Sequence, residues 1–167
     1  MAQRVVLTMS GNIAQVDHFT MNTYSIGENQ ANRHKPDVQL IQFFLWKFYN
    51  ANMQLFSSLP TVSRTPEIII DGRCGPQTIT GILNFQKQHQ IRGCPIWVDG
   101  VVHSTKHLLT PRNAAMYTIW WLNQWFVVNG EEPDEQKADL TLHPIVRARA
   151  PELCNELHRV QNVRTII

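Results

Sequence analysis

Seven histidines and three cysteines are the residues of this chain with the most chemistry to offer. His103 and His107 stand four apart, a spacing that puts both on one helix face as a zinc peptidase would. That chemistry also needs a glutamate beside the first histidine to take a proton from metal-bound water. Ser104, Thr105 and Lys106 fill the gap instead. Cys74, Cys94 and Cys154 contain no Cys-x-x-Cys pair, so no structural zinc site is expected. Their odd number speaks against a disulfide framework, and reduced, mostly buried thiols are expected. Cys94 beside a histidine would offer a thiol nucleophile, but Pro95 follows at once and no nucleophile turn is marked. Glu131, Glu132, Asp134 and Glu135 crowd one loop, whereas catalytic carboxylates face each other across a cleft. No glycine-rich phosphate loop is present. The expectation is a binding module with no catalytic residues, no metal and no cofactor.

Charge and hydropathy narrow the partners. The formal net charge of +2 over 167 residues leaves no basic stripe for nucleic acid, and Arg147, Arg149 and Arg159 are expected on a solvated helix face. No stretch approaches the roughly 20 apolar residues of a membrane span, so no membrane insertion is expected. The run Val5-Val6-Leu7 after Arg4 is too short for a signal-peptide core. The chain is therefore expected to be made in the cytosol and to reach any outer target by another route. Tyr117, Trp121 and Trp125 recur every four residues, which gives a helix an aromatic face. That face packs on the aromatics of the first helix, or offers the stacked aromatics that carbohydrate-binding surfaces use, or serves as a surface for a protein partner.

The elements that would position these residues can be read from periodicity. Arg4 to Met9 and Phe19 to Tyr24 read as short strands or an arm, separated by the turn signal Ser10-Gly11-Asn12. Pro36 opens a helix, with Asp37 in its first turn and Val38, Ile41, Leu45 and Phe48 on one buried stripe. Phe43, Trp46 and Tyr49 lie beyond the stripe and need separate cover. Ala51 to Pro66 reads as a loop. Ile68 to Ile70 is a short β-branched run ending at Asp71-Gly72, and Ile96-Trp97-Val98 is a second apolar triplet ending at Asp99-Gly100. Between them, Gly75-Pro76 opens a helix that carries Ile79, Ile82, Leu83 and Phe85 inward and stops at Gly93 and Pro95. A short third helix is expected over His103 to Leu109, an aromatic helix over Met116 to Val128, and short helices after Pro144 and Pro151, the latter running through Leu153, Leu157 and Val160. Thr78 is expected to bond a free amide in its helix's first turn, and Gln86 to tie its helix to a neighbouring backbone.

Two segments carry a resemblance. Asp37-Val38-Gln39-Leu40-Ile41-Gln42 is similar to an Asp-Val-x-x-apolar-Gln helix pattern, preceded by Ile26-Gly27 and Asn32. Asp71-Gly72-Arg73-Cys74-Gly75-Pro76-Gln77-Thr78, followed by Ile82, Phe85 and Gln86, is similar to Asp-Gly-x-x-Gly-Pro-x-Thr with a following Phe-Gln. Together they resemble the peptidoglycan-binding-like domain family over Tyr24 to Leu109. Asp99-Gly100-Val101-Val102 resembles the same motif opening the third helix, although His103 stands where the family has Gly and Lys106 where it has Thr. Gly81 replaces the alanine common there, and the Ala51 to Pro66 loop is long.

The resemblance implies a mainly α fold: a three-helix peptidoglycan-binding-like domain at 24–109, an N-terminal strand or arm at 1–23 and a helical C-terminal extension at 110–167. It implies non-catalytic binding of peptidoglycan. Asp71, Gly72, Gly75, Pro76, Thr78, Phe85, Gln86, Asp99 and Gly100 are expected to build the scaffold. Arg73, Gln77 and Trp97, beside the turns, are the candidates for a shallow ligand groove, with core packing as the competing role for Trp97. A module of this kind without a catalytic domain suits a part delivered to the wall in a phage-tail, contractile-injection or type VI secretion setting. The alternative is a structural adaptor in such an assembly, holding a particle or effector protein on its aromatic surface.

Overall fold

The computed structural model describes residues 2–8, 15–21, 25–27, 34–51, 66–104, 116–128, 140, 143–159 and 163–166, with side chains at 25–27, 34–50, 66–104, 116–123, 140 and 143–157. Apart from a small sheet at the termini, the described residues are mainly helical.

Helix α1, Lys35–Ala51, is the centre of the core. The predicted stripe Val38, Ile41, Leu45 and Phe48 is buried, but so are Leu40, Phe43, Phe44 and Tyr49. A helix apolar nearly all round needs cover on every side. Helix α2, Pro76–Ile91, covers one side with Ile82 and Phe85 and places Phe85 edge-on to Phe48 at 4.7 Å. Gly81 faces both α1 and the segment 66–70: a Cβ there would meet the Ile68 side chain at 2.8 Å and Leu45 of α1 at 3.4 Å, and the Tyr49 hydroxyl donates to the Gly81 carbonyl at 2.6 Å. Helix α3, Thr118–Val128, packs on a second side and buries Ile119 and Leu122. Phe43 is met by the His143 ring, edge-on at 4.8 Å, at the start of helix α4, Pro144–Arg149. Helix α5, Pro151–Arg159, buries Leu153 and Leu157 and packs on α1 and α4.

The α2 stop is a Schellman motif, in which Cys94 N–H donates to the His89 carbonyl at 3.0 Å and Gly93 N–H to the Gln90 carbonyl at 2.9 Å. Two small sheets complete the fold. Strand β1, Ala2–Thr8, pairs antiparallel with β2, Gln15–Met21, from Ala2 opposite Met21 to Thr8 opposite Gln15. Strand β3, Ile26–Gly27, pairs with β4, Val101–Val102.

Several expectations change. The C-terminal segment is not wholly helical: β5, Val163–Ile166, runs parallel to β1, so the arm and the extension share one sheet in the order β2-β1-β5. His103 and Ser104 are not helical, and 105–109, the rest of the expected third helix, lie outside the described residues. The aromatic helix starts at Thr118, so Tyr117 precedes it and does not share a helical face with Trp121. Val160, the turn at 10–12, most of the loop at 51–66 and the acidic loop at 131–139 also lie outside the described residues.

Candidate functional site

The second Asp-Gly turn and its surroundings form the candidate site, and a pair of glutamines explains its position. Gln42 of α1 is buried and reaches the first turn: its Nε2 lies 2.9 Å from Asp71 Oδ1, 3.0 Å from the Arg73 carbonyl and 3.2 Å from Thr78 Oγ1, while its Oε1 accepts from Gly72 N–H at 2.8 Å. Gln86 of α2 repeats this at the second turn. Its Nε2 lies 3.0 Å from Asp99 Oδ1, 3.0 Å from the Val101 carbonyl and 2.8 Å from Thr118 Oγ1, and its Oε1 accepts from Gly100 N–H at 2.8 Å. In both turns the aspartate accepts from the amide two residues on, Arg73 N–H at 2.8 Å and Val101 N–H at 2.9 Å. Gly72 and Gly100 sit at φ of +75° and +72°, a left-handed conformation that favours glycine. Each clasp thus ties a helix glutamine, an Asp-Gly turn and a threonine at the start of the next helix.

The two clasps correct one expectation and extend another. Thr78 does not bond a free amide of its own first turn; its hydroxyl meets Gln42. The counterpart of Thr78 in the second clasp is Thr118, at the first residue of α3, and not Thr105 or Lys106. The sequence hid this because 16 residues separate Val101 from Thr118, against four between Arg73 and Thr78. Gln42 was equally hard to find, since it lies 29 residues before its aspartate while Gln86 lies 13 before its own.

The second clasp supports an aromatic rim. Trp97 is 42% exposed, and its backbone N–H donates to the Met116 carbonyl at 3.4 Å, which holds its main chain beside the start of α3. His103 and Tyr117 both pack against the indole at centroid distances of 5.4 Å, with interplanar angles of 72° and 66°, so neither ring stacks flat on it. Asp99 joins the clasp to the rim: Oδ1 is spent inside the turn, and Oδ2 lies 3.6 Å from His103 Nε2. The result is an exposed indole of fixed orientation next to a carboxylate and an imidazole.

The other candidates are placed differently. Arg73 and Gln77 are exposed at the first turn, and no described contact joins them to Trp97. Trp121 packs on His89 of α2 at 5.6 Å, at the edge of the core. The Trp125 side chain lies outside the described ones. Asp71 Oδ1, the Gly72 N–H and the Gln86 amide are spent within the protein, and Phe85 is fully buried. All three cysteines are free and half-buried, with burial pushing the Cys74 thiol up.

Burial also holds the His89 imidazole down at about 4, although Nδ1 sits 2.9 Å from the Phe85 carbonyl. A neutral ring that donates from Nδ1 fits that contact. His34, Asp37 and Glu156 bring ligand-type atoms within 4.8 Å of one another. The His34 nitrogens lie 3.5 Å from Asp37 and 3.2 Å from Glu156, bridging the start of α1 to α5. A cation there would face the positive end of the α1 dipole.

Compared with known protein families, curated proteins and solved structures, the chain matches none.

Proposed function

We propose that the chain is a non-catalytic binder of peptidoglycan, built as a peptidoglycan-binding-like core of α1, α2 and α3. The carrying observation is the Trp97 rim: an exposed, edge-braced indole beside Asp99 and His103. Binding sites of this kind join an apolar platform to a few polar groups that fix orientation. The indole would meet the apolar face of an amino sugar. Asp99 and His103 would take its hydroxyl and acetamido groups. The duplicated clasp supports the core assignment, because both repeats follow the Asp-Gly pattern on which the resemblance rests, with Thr118 completing the second. On this reading the core runs past Leu109 to include α3. A chain of this kind would act at the cell wall, delivered there by a phage-like or secretion particle.

The test is co-sedimentation of the full chain with purified sacculi at moderate salt. Wild type is expected in the pellet without clearing the suspension. Trp97→Ala is expected to stay in the supernatant while remaining folded, with a lowered melting temperature because the indole covers the buried Tyr117. Asp71→Ala is expected to melt earlier yet still pellet while folded, because Asp71 serves the other turn. A folded wild type that stays in solution overturns the reading.

A further inference from the structure

A concave surface shares no lining residue with the Trp97 rim. A cavity of about 570 Å³ is lined by Trp46, Tyr49 and Asn50 of α1, by the segment Pro66 to Ile70, and by Arg149 of α4. Its volume is in the range of binding clefts.

Three features of its wall point to one kind of occupant. The segment alternates in burial as a strand does: Ile68 and Ile70 are buried, and Ile69 between them is 53% exposed. Its β-branched residues suit a ladder, yet among the described residues the main chain of 67–70 has no hydrogen-bond partner. An extended segment with open amides and carbonyls is a template for another strand. The same wall carries opposite charges. Glu67 and Arg149 are both exposed, both line the cavity, and form no ion pair among the described residues. The ring of Trp46, stacked at 6.3 Å on Phe43, supplies an apolar surface between the strand and α1.

We infer that this cavity receives an extended segment of a partner protein, added as a strand along Ile68 to Ile70. The segment's main chain bonds to that of residues 67–70. An acidic side chain meets Arg149, a basic one meets Glu67, and an apolar one rests on Trp46. The inference stands apart from the peptidoglycan reading, since it uses none of the residues of the rim.

The probes are two capped pentapeptides, acetyl-Val-Glu-Val-Lys-Val-amide and its charge-reversed order acetyl-Val-Lys-Val-Glu-Val-amide, titrated to millimolar concentration into the isotope-labelled full chain. For at least one order, saturable shifts are expected at the amides of 67–70 and the Trp46 indole, with slowed exchange at 67–70. N-methylation of every residue of the peptide, which removes all strand donors but keeps side chains, is expected to weaken binding at least tenfold. Arg149→Glu, at an exposed position, is expected to weaken it several-fold while leaving sacculus co-sedimentation unchanged. Absence of saturable shifts at 67–70 with both peptides overturns the inference. Equal binding of the N-methylated peptide also overturns it, because the groove would then be apolar and not strand-directed. Either failure leaves the sacculus result untouched, so the two readings fall separately.

Discussion

Gln86 concentrates more of the fold in one side chain than its type suggests. It is fully buried on α2, and its amide serves two turn N–H groups, a carbonyl, a carboxylate and the hydroxyl of Thr118. Replacing it with Leu strands the N–H groups of Gly100 and Asp99, while Asp99 keeps the Val101 N–H and the Thr118 hydroxyl keeps the Val101 carbonyl; each stranded group costs about 1–3 kcal/mol. The expected loss is roughly 3 kcal/mol or more, read as a drop in the urea midpoint. Gln86→Glu separates shape from hydrogen bonding. Its carboxylate keeps the contacts from Gly100 and Asp99 N–H but faces Asp99 and the Val101 carbonyl with no donor. Burial and that like charge raise the new carboxyl's pKa above its unfolded value. The folded state then binds the extra proton more tightly, so the penalty is expected to shrink as pH falls from 7 towards 5. A penalty that is flat with pH would mean that the carboxylate escapes to solvent. At this scale the sequence spoke for some residues and not others. Asp-Gly pairs advertise turns by their type alone, and Gln86 was expected to reach a nearby backbone. Thr118 carries no such mark, because its role depends on a fold that brings it back across the intervening chain.

Elements were legible where their own residues decide them. The period of Val38, Ile41, Leu45 and Phe48 marks α1, Gly75-Pro76 marks the start of α2, and Gly93 marks its stop. They were illegible where a distant partner decides. Val163-Arg164-Thr165-Ile166 is too short to announce a strand, and its parallel place beside β1 joins the two ends of the sequence. The expected helix does not begin at His103, because Val101 and Val102 just before it pair with β3, and His103 and Ser104 are not helical. Element packing can be tested at Gly81, where α2 touches Ile68 and Leu45, with a Cβ meeting them at 2.8 and 3.4 Å. Gly81→Ala gains about 1 kcal/mol of helix propensity, which offsets the shift of one Ile68 methyl, so near-neutral stability is expected. Gly81→Val must displace both neighbours, and overpacking of this kind costs about 1–3 kcal/mol. It should also disturb the seat of residues 66–70. Thermal unfolding of the pair checks this, and a Val variant as stable as Ala would show that the α2 contact is slack.

At the scale of the whole molecule, the helices meet through groups that titrate, and this sets how the protein answers acid. Glu152 of α5 is held down at about 2, first by its hydrogen bond from Lys35, with Gln39 also donating to it. It is largely exposed, so screening leaves this clamp of α5 on α1 a small contribution, present above the unfolded value and lost only as pH falls towards 2. His89 matters sooner. It lies between α2 and α3, against Phe85 at 4.1 Å, Phe48 at 5.8 Å and Trp121 at 5.6 Å. Burial lowers its folded value to about 4 from 6.5. Between those values the unfolded chain holds the extra proton and the folded one does not, so stability falls as pH drops from about 6.5 to 4. At about 1.4 kcal/mol for each pH unit the ceiling is roughly 3 kcal/mol. His143, lowered by burial and by Lys47, adds to the same slope. Urea unfolding at a series of pH values from 7.5 to 4 is expected to show most of the loss below 6.5. His89→Phe keeps an aromatic ring against Phe48 and Phe85 but cannot take a proton, so it should flatten the curve. It should be weaker than wild type at pH 7.5, where the imidazole donates to the Phe85 carbonyl, and should draw level with or pass it near pH 4. If the two curves stay parallel, protonation of His89 is not what loosens the contact between α2 and α3, and His143 at the start of α4 becomes the group to change next.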